Sequence, residues 1–106
     1  MPKYMVHVNY TLQGLQGVAA KGGTAREKAA REAAESLGGS IDAFYFAFGD
    51  TDVVVIADFP DNVSAAALAL AVGTGGGASA RTTVLMSPKE IDKAAKKQVT
   101  YRPPGA

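Results

Sequence analysis

An α+β sandwich built on one antiparallel sheet is the fold this sequence predicts, and three observations predict it. Two apolar runs, Ile41–Phe48 and Val53–Phe59, flank a turn of Gly49, Asp50, Thr51 and Asp52, the pattern of a β-hairpin. Helix start and stop signals lie on both sides of that hairpin, so the elements alternate as strand, helix, strand, strand, helix, strand. Both hairpin strands are apolar on both faces, whereas a sheet with one wet face alternates.

The first strand is Lys3–Tyr10, with Tyr4, Val6, Val8 and Tyr10 on one face and Met5, His7 and Asn9 on the other. Thr11–Ala20 places Leu12, Leu15 and Val18 three apart, which suits a short helix or turn weakened by Gly14 and Gly17. Thr24 and Glu27 carry the spacing of a capping box at the head of TAREKAAREAAESL. Gly38 and Gly39 supply that helix's left-handed stop. Its pairs Glu27–Arg31, Lys28–Glu32 and Arg31–Glu35 stand four apart, which makes a solvated face rather than a site.

In the hairpin, strict alternation puts Asp42, Phe44, Phe46 and Phe48 on one face and Ile41, Ala43, Tyr45 and Ala47 on the other. Val53, Val55, Ala57 and Phe59 oppose Val54, Ile56 and Asp58. Asp61 then caps an Ala-rich helix running to Gly73. Ala78–Met86 is a fourth strand, with Arg81, Thr83 and Leu85 on one face. Ser87, Pro88 and Glu90 open a final helix that extends to about Gln98 on its pattern. Residues 100–106 form an extended tail. This order is a ferredoxin-like βαββαβ sandwich, with a four-stranded antiparallel sheet, helices on one face and an extra C-terminal helix. It divides into a domain over 1–88 and a basic helix and tail over 89–106. Val53–Phe59 lies centrally, between the first strand and Ile41–Phe48. Helices cover only one sheet face, so the apolar character of the other calls for a partner, most economically a second copy of the chain.

The chain has 106 residues, 47% of them hydrophobic, which suits a single globular domain with a thin core. A net charge of +1 creates no field that draws nucleic acid or a membrane surface. With no Cys and one His, neither a disulfide framework, a thiolate zinc site nor a histidine cluster can form within one chain. MPKYMVHVNY lacks the apolar stretch of a signal peptide, and no run reaches the ~18 apolar residues of a membrane span. The expected setting is the cytoplasm.

GDTDVVVIADFPD, with Gly49, Asp52, Val53 and Val54, resembles the GYD family, small bacterial and archaeal proteins named for a Gly-Tyr-Asp turn. The stretch from Asn62 through Arg81, Thr82 and Thr83 to Leu85 is similar too. So is Tyr4–Gly14, including Asn9, Thr11 and Gly14. Thr51 occupies the position of the motif tyrosine, so any role of that phenol is absent here. The resemblance implies a ferredoxin-like fold that associates through its sheets, like dimeric α+β barrels, and brings no catalytic residues.

Candidate chemistry is sparse. His7, Asn9 and Arg81 converge if they share the helix-free face, an imidazole beside an anion clamp; otherwise His7 hydrogen-bonds within an interface. Asp50 and Asp52 fit as turn residues bonding backbone N–H groups. Gly73–Gly77 leaves a helix C-terminus and lacks a Lys-Ser/Thr pair, so it is no phosphate loop. Lys89, Lys93, Lys96, Lys97 and Arg102 make the tail basic without aromatic interleaving, which argues a solvated helix rather than a nucleic-acid surface. The expected function is self-association into a homodimer or larger oligomer, with no cofactor, no metal, no nucleic acid and no membrane partner. The alternative is a small cofactor-free enzyme or binding protein for an apolar or aromatic small molecule.

Overall fold

Residues 1–105 are described by a computed structural model, and Ala106, the last residue of the expected tail, lies outside them. Its elements are β1 (Lys3–Tyr10), α1 (Leu12–Lys21), α2 (Gly23–Ser36), β2 (Ser40–Phe46), β3 (Val53–Asp58), α3 (Asn62–Thr74), β4 (Ala78–Leu85) and α4 (Pro88–Ala95). The four strands make one antiparallel sheet in the order β2-β3-β1-β4, so the hairpin's second strand is central as the pattern predicts.

Local chemistry sets most boundaries. Asp61 accepts from the Ser64 amide at 2.8 Å and caps α3. Ser87 and Glu90 close a reciprocal capping box on α4. At the end of α2, Gly38 sits at φ +75°. The Gly39 amide reaches back to the Ala34 carbonyl and the Gly38 amide to Glu35, the paired bonds of a Schellman stop.

Four expectations are corrected. Thr24 and Glu27 form no capping box: α2 already begins at Gly23, because Gly22 at φ +85° turns the chain directly from α1 into α2. Glu27 instead pairs with Arg31 at 3.0 Å. Strict alternation fails in β2, where a bulge between Ile41 and Ala43 leaves Asp42 without a partner opposite. Ile41 therefore faces the helices with Phe44, and Asp42 reaches Lys3 instead. β2 also stops at Phe46: the Ala47 amide makes a last cross-hairpin bond to the Asp52 carbonyl at 2.9 Å, and Phe48 stands in solvent within the turn. Finally, α4 ends at Ala95, short of Gln98, where Lys96, Lys97 and Gln98 offer no apolar side to pack.

The core lies between the sheet and the helices. Tyr4, Val6, Val53, Val55, Ala57 and Phe59 rise from the sheet to meet Ala34 of α2 and Ala65 of α3. The Tyr4 and Phe59 rings meet edge to face at 5.8 Å, and burying a side chain of that size contributes roughly 1.5–3 kcal/mol. The Tyr4 hydroxyl donates to Asn62 Oδ1 at 2.6 Å, so its burial leaves no unpaired donor. Every residue of α4 is exposed. A radius of gyration of 16.9 Å reflects that projecting arm, since a chain of this length packed throughout has about 13 Å.

Candidate functional site

Because side chains alternate along a strand, the register places three rows of residues on the helix-free face. Ser40, Asp58, Lys3 and Leu85 form one row, and Ala43, Ile56, Met5 and Thr83 the next. Tyr45, Val54, His7 and Arg81 form the third. The middle of this face is apolar, and no helix among the described residues crosses it. Tyr45 is 70% exposed upon it.

The two ends of the face differ in charge. At one end Lys3 pairs with Asp42 and, at 3.1 Å, with Asp58. The bond to Asp42, then that to Asp58, holds the Lys3 ammonium above its ordinary value, and Lys3 in turn holds the Asp42 carboxyl below its own. At the other end His7 lies directly opposite Arg81. Arg81 Nη2 donates to Thr51 Oγ1 at 3.1 Å. That acceptor is neutral, and among the described residues no carboxylate pairs with the guanidinium, so it keeps its charge for an anion.

The motif turn is fastened over this end. The Tyr10 amide donates to Asp52 Oδ2 at 2.8 Å, the Asp52 amide to the Val8 carbonyl at 2.9 Å, and Asn9 Nδ2 to the Asp50 carbonyl at 3.0 Å. Asp52 thus bonds backbone across the sheet rather than within its own turn. The result is an open depression of about 380 Å³ lined by His7, Ala47, Gly49, Asp50, Thr51, Val54 and Arg81. Of the residues singled out from sequence, His7 and Arg81 meet there. Asn9 supports the Asp50 wall without lining the space. Gly49 lies on its rim, and Asp52 acts behind it.

Thr51 was missed. It is the one buried polar side chain among the described residues, and its hydroxyl orients Arg81. Nothing in the local sequence signals that role, because Arg81 lies 30 residues on. Among the described residues, no group of three or more His, Cys, Asp or Glu could hold a metal ion, and no helix is long and apolar enough to cross a membrane.

A more apolar and less open space lies elsewhere, on the other side of the sheet. A cavity of about 150 Å³ separates α2 and α3 above Val6, Val8, Val53 and Val55.

A family model for the GYD domain matches residues 4–95. No curated protein and no solved structure matches the chain.

Proposed function

The chain belongs to the GYD domain family, and on that premise we propose that it is a self-associating α+β module whose helix-free sheet face pairs with a second copy. One observation carries the proposal: Met5, Ala43, Tyr45, Val54, Ile56 and Leu85 share a face that no helix among the described residues covers. Contiguous apolar surface of this kind is often functional and suits an interface. Four strands about 4.8 Å apart and seven residues long present a footprint of roughly 450 Å². A standard interface buries about 800 Å² on each partner, so side-chain relief and a further element must add area.

The arm α4 supplies such an element. Its apolar residues Ile91, Ala94 and Ala95 are exposed, and an isolated two-turn helix is marginal in water. Laid on a second copy, it would bury that stripe. A sheet facing His7 and Arg81 would also roof their depression, and this favours a second reading in which the closed space admits a small apolar or aromatic molecule.

Light scattering after gel filtration at micromolar concentration tests the proposal. The expected mass is about twice the 10.9 kDa of one chain. Tyr45→Lys, at an exposed position, and Ile56→Lys should shift it to the monomer with far-UV dichroism unchanged. A wild-type chain that stays monomeric at high micromolar concentration overturns the proposal.

A further inference from the structure

The cavity on the helix side is wider than its neighbours require. Where α2 and α3 face one another across the sheet, Ala29, Ala30 and Ala33 of α2 stand opposite Leu68, Ala69 and Val72 of α3, and the small side chains of α2 leave a gap. The floor is Val6, Val8, Val53 and Val55, and the volume is about 150 Å³. An apolar space of about that size is enough for one benzene ring. No Asp or Glu lines it.

The cavity opens at one end. Its inner wall is continuous with a mouth of about 470 Å³ between α1, α2 and the end of α3, the two sharing Tyr10, Arg26, Ala33, Leu68, Val72 and Ala78. Lys21 and Arg26 stand at that mouth, again with no carboxylate among the lining residues. Neither cation makes an ion pair or a side-chain hydrogen bond among the described residues. By contrast Arg31, one turn further along α2, is engaged by Glu27 and the Ile41 carbonyl. An apolar interior leading to two unengaged cations is complementary to an amphipathic anion.

We propose that the cleft between α2 and α3 binds an arylalkyl carboxylate, its ring in the apolar cavity and its carboxylate between Lys21 and Arg26. A ring fills the interior, and a chain of two to three methylenes carries the carboxylate past Ala33 to the mouth. Arg26 offers paired N–H donors that match a carboxylate, and Lys21 a mobile point charge. This site lies across the sheet from His7 and Arg81 and does not depend on self-association.

The test uses 4-phenylbutyrate and its neutral analogue 4-phenylbutan-1-ol as probes of the full chain, read by amide chemical shifts and calorimetry. The carboxylate should perturb Ala33, Leu68 and Val72 and bind at least tenfold more tightly than the alcohol. Arg26→Gln with Lys21→Gln should erase that difference, while Arg81→Gln leaves it unchanged. Gly17→Leu places a side chain in the mouth, where a Cβ on Gly17 meets nothing within 4 Å, and should weaken both probes tenfold or more. Both charge variants alter exposed side chains, so the test stands even if Gly17→Leu fails to fold. Equal affinity for the two probes, shifts centred on His7 and Arg81, or no saturable binding at millimolar concentration overturns the proposal.

Discussion

Replacing Asp52 by Ala removes one bond and leaves its neighbours in place. The lost contact is the Tyr10 amide to Asp52 Oδ2, 2.8 Å long and partly buried. The Asp52 backbone bonds to Val8 and Ala47 do not involve the side chain. A hydrogen bond to a charged acceptor is worth about 1.5–3 kcal/mol. Because Asp52 is only half-buried, water can reach the vacated amide, which places the cost in the lower half of that range, about 1.5–2 kcal/mol. Asp52→Asn keeps an acceptor at the same reach and should cost less than about 1 kcal/mol. Urea unfolding at one fixed protein concentration measures both, since self-association makes apparent stability concentration-dependent. An Asp52→Ala variant within about 0.5 kcal/mol of wild type, the scatter of ordinary surface changes, would refute the role of the motif aspartate as the tie between turn and sheet.

Tyr4→Phe deletes the hydroxyl that donates to Asn62 at 2.6 Å while keeping the ring against Phe59. Since Asn62 itself is exposed, the loss should be about 1 kcal/mol in urea unfolding; no change would mean the bond is replaced by water at no cost. Acid should weaken the fold. The backbone amide of Ser64 holds Asp61 below its ordinary value, that of Ser87 does the same for Glu90, and Lys3 does so for Asp42. A carboxyl depressed in the native state adds stability above its unfolded value, and that stability is lost as pH falls through the native one, below about pH 4. Lys3, raised in the native state, contributes below its ordinary value of 10.5 and loses that only as pH climbs beyond it. Urea midpoints recorded from pH 7 to pH 2 should fall at the acid end, less steeply in Asp61→Asn; a flat profile contradicts this.

The elements that were legible in the sequence rest on chemistry within a few residues. Asp61, the Ser87–Glu90 box, the Gly38–Gly39 stop and the hairpin strands all declare themselves locally. The meeting of His7 with Arg81 was legible for the same reason, since the face a strand residue occupies follows from alternation. The illegible features depend on distant parts of the chain. The bulge at Asp42 turns that side chain to Lys3, 39 residues away. Thr51 is buried because β4 brings Arg81 to it, 30 residues on. Thr24 looked like a cap only because the direct passage from α1 to α2 through Gly22 has no marker beyond a pair of glycines. The helix-side cavity is set by how far apart the sheet holds α2 and α3, which no local pattern of alanines states. Of the ion pairs read from i, i+4 spacing, Glu27–Arg31 forms, while Arg31 spends its remaining reach on the Ile41 carbonyl rather than on Glu35.

Pairing through the sheet is most directly tested by distances between single spin labels, for which a chain without cysteine is well suited. Thr83→Cys places a label in the middle row of the helix-free face, and Glu32→Cys places one on an exposed position of α2. Sheets packed face to face lie about 10 Å apart, so labels at position 83 should give a short interchain separation, within about 20 Å once the label arms are allowed for. Labels at position 32 are divided by two sheets and two helices of about 10 Å each and should lie beyond about 30 Å. A short distance at position 83 with a long one at position 32 is the predicted result. The reverse order, or no interchain coupling at position 83, would contradict it.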